Sequence, residues 1–182
     1  MNYSYKGKIL ISTPDVSGDI FSRSVVLMID HNENGAFGLI LNKKNTEISR
    51  NMQGIFGFPV EVYEGGPVEN NKIFFIIKGS PVPEHFEEIN QDYYITEDVE
   101  KIVAEIVEGR LPLHNVKIFS GYSGWAAQQL ESEIHRKMWT VVDVYNLDYT
   151  TPNDQGLWKN IMQNLGGEFL LWANAPEDVS LN

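Results

Sequence analysis

The sequence predicts a mixed α+β fold, a partly antiparallel sheet flanked by helices. Three observations predict it. Short runs rich in Val, Ile, Phe and Tyr recur along the chain and read as strands. Apolar residues at the 3.6-residue period mark helices between and after them. The two kinds do not alternate strictly, which argues against a doubly wound parallel sheet. At 182 residues with 42% hydrophobic content, a single domain over 1–182 suffices to bury a sizeable core. That core is expected over 7–167, with 168–182 as a C-terminal strand or tail.

Lys8 to Ser12 reads as the first strand. Ser24 to Asp30 and Phe37 to Asn42 follow as strands around HNENGA, whose Asn34 and Gly35 suit a hairpin turn. A short helix is expected from Thr46 to Phe56, then strands at Val60 to Tyr63, Lys72 to Lys78 and Tyr93 to Thr96. Thr96 is placed to cap a helix that carries Val99, Ile102, Val103, Ile106 and Val107 on one face. Glu97 and Asp98 sit at its positive end and Gly109 closes it. Val116 to Gly121 returns to strand, and Ser123 reads as the N-cap of a helix reaching Lys137, with Leu130, Ile134 and Met138 on one stripe. Trp139 to Val144 is the last strand. A final helix opens at Thr151, with Pro152 at its first position, and buries Leu157, Trp158, Ile161, Met162 and Leu165 before Gly166 and Gly167 stop it.

Composition removes several kinds of chemistry. Without cysteine there is no thiol nucleophile, no disulfide and no cysteine-ligated metal or cluster. His31, His85, His114 and His135 never recur at i, i+3 or i+4, so no local metal motif exists, and neither metal nor cofactor is expected. Fourteen basic against 25 acidic residues leave a formal charge of −11, which repels phosphate backbones and disfavours direct nucleic-acid binding. Met1 to Lys8 lacks the charged and apolar regions of a signal peptide. No apolar run approaches the ~20 residues of a membrane span. A cytoplasmic location without a membrane partner is the expectation.

Three polar, glycine-bearing segments interrupt the apolar runs. In FSRSVVLMIDHNENGAFGLILNK, Arg23, His31, Asn32 and Asn34 offer hydrogen-bonding groups to a ligand, while turn chemistry accounts for the same residue types. VYEGGPVENNK holds Gly65 and Gly66, which suit either a close backbone approach or an anion; it is neither a Walker loop nor a dinucleotide fingerprint. FSGYSGWAAQQLESE carries Gly121, Ser123, Gly124, Trp125, Gln129 and Glu131. Its strand–turn–helix context approaches a nucleophile elbow, but G-x-S-x-G would need Gly where Trp125 stands.

In this order, and with TPNDQGLW after them, the three segments resemble the AlgH/YqgE family of bacterial proteins over roughly Gly7 to Leu165. The resemblance implies a bent, bifurcated sheet folded into a pseudo-barrel with helices around it, in a cytosolic protein. The family is largely uncharacterised and carries a transcriptional-regulator label. On its motifs fall Arg23, Ser24, His31 and Asn42, then Gly65 and Gly66, then Gly121, Gly124, Trp125, Gln129 and Glu131. Two departures stand out: Ala127 and Gln128 replace a typical Pro and Gly, and Lys43 and Lys44 follow Asn42 where a proline is common.

The leading functional expectation is a non-enzymatic regulatory or binding protein acting through an unknown protein or small-molecule partner. No nucleophile–base–orienter set is legible, so no catalytic residue is assigned. The first alternative is a small hydrolase or transferase using Ser24 or Ser123. The second is a direct DNA-binding regulator, which the charge opposes.

Overall fold

The computed structural model describes residues 3–14, 19–79, 86–144, 146–154 and 156–174. His85, and the expected tail over 175–182, lie outside them. Among the described residues the strands are β1 (Ile9–Ser12), β2 (Val25–Asn32), β3 (Gly35–Ile40), β4 (Val62–Glu64), β5 (Val68–Lys78), β6 (Glu87–Asn90), β7 (Tyr93–Thr96), β8 (Val116–Ala126) and β9 (Trp139–Val142). The helices are α1 (Thr46–Phe56), α2 (Val99–Val107), α3 (Gln129–His135), α4 (Gly156–Leu165) and α5 (Glu168–Ala173).

The sheet runs β6-β7-β5-β8-β3-β2-β1-β9, with β4 added to β8 off that path. It curls into a half-barrel. Each pairing is antiparallel except β4 with β8. β8 makes the bifurcation. Its first half takes β4 on one side, in the register Val62↔Ile118. Its second half takes β3 instead, in the register Gly38↔Ser123.

The central strands read as unbroken apolar runs because both sheet faces are covered. Val25, Leu27 and Ile29 of β2 join Phe74, Ile76 and Phe119 in the concave core, which α4 and α5 close with Trp158, Ile161, Met162 and Ala173. Val26 and Met28 face the opposite way, against Trp125, Leu130 and Trp139. Phe75, Ile77 and Ile118 pack under Met52 and Phe56 of α1 and Ile102 of α2. Trp158 is 2% exposed and its indole N–H donates to the Ser12 carbonyl at 2.8 Å, pinning α4 to β1.

Four expectations change. Ser123 caps no helix: β8 continues to Ala126 and the helix starts at Gln129, because pairing with β3 holds GYSGWA extended. The last long helix starts at Gly156 rather than at Thr151, after a turn in which Gly156 N–H donates to Asp154 Oδ1. Asp98, not Thr96, caps α2; the Thr96 hydroxyl accepts from Asp98 N–H one step earlier. Glu168–Ala173 is helical, where a strand or tail was expected.

Candidate functional site

The three motifs meet the sheet in three places. At the start of β2, Ser24 and Asn42 are 0% and 1% exposed. The Ser24 hydroxyl donates to the Phe21 carbonyl at 2.7 Å. The Asn42 amide accepts from Val25 N–H and donates to the Arg23 carbonyl, both at 3.0 Å. Arg23 has a left-handed φ of 51° and lays its guanidinium over the Trp158 ring at 5.0 Å. These groups lock the entry to the strand.

The second place is a backbone seam. Gly65 N–H donates to the Ser120 carbonyl, and the Gly65 carbonyl accepts from Ile40 N–H and from the Ser123 hydroxyl at 3.0 Å. A Cβ on Gly66 would collide with the Tyr122 peptide, and Gly121 holds φ at 72° against the Gly66 carbonyl, so neither position tolerates a side chain. Paired glycines here bring two backbones together.

The third place joins the β2–β3 hairpin to α3. The His31 Nδ1 accepts from Tyr5 N–H at 3.0 Å, so the neutral ring carries its proton on Nε2 and donates it to Glu131 at 3.2 Å. Both ring nitrogens are engaged, which leaves no lone pair for a general base. Next to it, the indole N–H groups of Trp125 and Trp139 both donate to Glu133 Oε1, at 3.1 and 3.0 Å, while Gln129 donates to Glu133 Oε2 at 2.8 Å. Gln129 also accepts from Ala126 N–H. Gly124 lies exposed in the β8 ladder opposite Phe37. Beside this network a cleft of about 520 Å³ is lined by Tyr3, Ser4, Tyr5, His31, Asn32, Glu33, Gln128 and Glu131.

A further feature stands at the other end of β8. Lys117 is 3% exposed within the apolar run VKIFS. Its ammonium donates to the carbonyls of Leu41 at 2.7 Å and Thr151 at 3.0 Å and lies 4.1 Å from the centre of the Tyr63 ring. Burial pulls this amine down to about 7 and pushes the Tyr63 phenol up to about 12. A cavity of about 510 Å³ opens beside it, walled by Val60, Leu113, Val116, Ile118 and Pro152 among others.

Comparison with known proteins gives this geometry its relatives. The AlgH-like family model matches residues 9–170. The chain belongs to the AlgH-like family. It is 37% identical over 179 residues to a UPF0301 protein of Cytophaga hutchinsonii, covering 97% of this chain and 98% of that one. A UPF0301 protein of Parabacteroides distasonis is 36% identical, with 97% and 91% covered. The fold is that of the solution structure of the AlgH protein from Pseudomonas aeruginosa, at a TM-score of 0.70, 22% identity and 97% coverage of both chains. A crystal structure from Corynebacterium diphtheriae gives a TM-score of 0.72 at 21% identity, covering 96% of this chain and 94% of that one.

Within this AlgH-like chain the departure at Gln128 has a backbone consequence. Gln128 adopts φ 67° immediately before α3, a left-handed conformation that favours the glycine typical of the family motif. Ala127 precedes the helix rather than extending it. Sequence reasoning missed Lys117 and the sharing of Glu133 by two indoles. A lone lysine inside a central apolar strand was the available signal for the first; the second arises only when α3 folds back over β8 and β9.

Proposed function

We propose that this protein is a non-enzymatic regulatory protein of the cytosol that works by holding a protein partner in the cleft between the β2–β3 hairpin and α3. The observation that carries the reading is the state of the motif side chains. The Ser24 and Ser123 hydroxyls are buried and donate to backbone carbonyls, and both nitrogens of His31 are engaged. These groups brace a surface instead of forming a nucleophile–base pair. Of these groups His31 lines a cleft that presents Tyr3, Asn32 and Glu33 to solvent, with an acidic lining that favours a partner segment rich in donors or cationic groups. Among the described residues no helix is long and apolar enough to cross a membrane.

The test is complementation. A deletion strain of the source bacterium is profiled for transcripts and resupplied with wild type or with a Tyr3→Ala/Glu33→Arg variant. Tyr3 is 60% exposed, so the variant is expected to unfold like wild type yet leave the transcript changes uncorrected. Full correction by the variant would rule the cleft out. Saturable, sequence-dependent DNA binding by the pure protein would replace the reading with direct regulation.

A further inference from the structure

Lys117 is buried, and among the described residues its hydrogen-bond partners are neutral carbonyls. No carboxylate lies within ion-pair distance of it among the described residues. The Leu41 and Thr151 carbonyls take two of its three N–H donors. Tyr63 of β4 presents its ring to the ammonium. Charged groups reach it only at longer range: Asp148 and Glu61 favour the ammonium and Lys44 opposes it. His114, just ahead of β8, stands in the cavity wall. Glu61, on the same wall, is drawn to Lys44 at 3.4 Å. A desolvated cation without a counter-charge is costly, and here it borders a cavity walled mostly by hydrocarbon and within the roughly 300–1,000 Å³ of ligand pockets.

We propose that this cavity binds a small apolar monocarboxylate, the carboxylate pairing with the Lys117 ammonium and the body lying on Val60, Leu113, Val116 and Ile118. A single cation matches a single negative charge, and a ligand amine would meet like charge. Because burial leaves Lys117 only partly protonated near neutrality, binding of the carboxylate draws a proton onto the amine. This site lies at the opposite end of β8 from the cleft, and the two readings stand separately.

Octanoate, 1-octanol and octylamine are titrated into the full chain by calorimetry, in buffers of differing ionisation enthalpy. Octanoate is expected to bind saturably and about tenfold or more tighter than octanol, and octylamine not to compete. Proton uptake is expected to rise from pH 7 towards about one per ligand at pH 8.5, and affinity to fall over the same interval. Lys117→Met is expected to bind octanoate no better than octanol. Should that variant fail to fold, the preference of wild type for octanoate over octanol still decides. Absence of saturable octanoate binding, or equal affinity for octanol, overturns the proposal. The Tyr3→Ala/Glu33→Arg variant is expected to bind octanoate like wild type, so failure of the cleft reading leaves this result untouched.

Discussion

The two ends of β8 solve the problem of a charge at a sheet surface in opposite ways. At the Trp125 end a carboxylate is surrounded: Glu133 accepts from two indoles and from Gln129, and Glu131 accepts from His31. At the Lys117 end an ammonium meets neutral carbonyls and an aromatic face. The first arrangement is saturated and fastens a helix to the sheet. The second engages two carbonyls and a ring face beside a cavity. A sheet can therefore meet a charge either with donors that fasten a helix to it, as at Glu133 of α3, or with neutral groups beside a cavity, as at Lys117.

The strongest way to break this contrast is to empty the saturated end. Glu133→Ala leaves the Trp125 and Trp139 N–H groups without their acceptor beneath α3, and those indoles are 7% and 3% exposed. Losing charge-assisted bonds while stranding two donors is expected to cost about 2–3 kcal/mol in urea unfolding. Near-UV circular dichroism should lose tryptophan intensity in parallel, since the two rings lie 6.0 Å apart, edge to face, against this carboxylate. A cost below about 0.5 kcal/mol would mean that the indoles find water, and that the fastening is incidental.

The open end should respond to pH instead. Burial depresses the folded Lys117 pKa from 10.5 to about 7. Between those values the unfolded chain holds a proton that the folded chain has released, so stability rises with pH across the window, by up to about 1.4 kcal/mol per unit from this one group. Below pH 7 both states are protonated and the contribution is flat. Lys117→Met removes the titration. The stability difference, wild type minus variant, is expected to grow steadily from pH 7 to 9.5, below the range in which Tyr63 and Tyr93, both raised to about 12, ionise in the folded chain. At pH 7 itself the variant is expected within about 2 kcal/mol of wild type, since an apolar chain of similar volume replaces an unpaired charge but two carbonyls lose a donor. A difference independent of pH would show that the cation is as well held as Glu133.

The sequence exposed one end of β8 better than the other, for physical reasons. Phe119, Ile118 and Val116 announce a strand by composition, and the Leu130 to Met138 stripe announces a helix by period. The point where strand becomes helix was misplaced because Ser123 and Trp125 are held extended by Gly38 and Ala36 of β3, some 87 residues away along the chain. No local propensity encodes that pairing. β6 escaped notice because Glu87 and Glu88 are exposed edge residues that resemble a solvated loop. Motif serines resembled chemistry and turned out to be donors to backbone carbonyls, whereas Lys117 sat unnoticed inside a run whose composition was read only as strand. Elements carried by composition and period were thus legible, and the site, assembled by cross-strand pairing, was not.

The smallest effect has the opposite sign and sharpens what the saturated end costs. Gln128 reaches φ 67° and ψ −4° so that the chain can turn from β8 into α3 and bring Glu133 under the indoles. Its side chain is exposed and makes no hydrogen bond among the described residues. A non-glycine residue in this region is strained by about 1–2 kcal/mol where its Cβ crowds the following carbonyl, and glycine relieves that strain while adding freedom to the unfolded chain. The balance predicts that Gln128→Gly raises stability by about 0.5–1 kcal/mol in urea unfolding, at unchanged slope. In a Glu133→Ala background the same substitution should yield the same increment if the turn is strained on its own account, because the two changes then add. An increment that vanishes when Glu133 is gone would instead place the strain in the fastening: the left-handed turn would be imposed by the indole–carboxylate network, and α3 would relax once that network is cut.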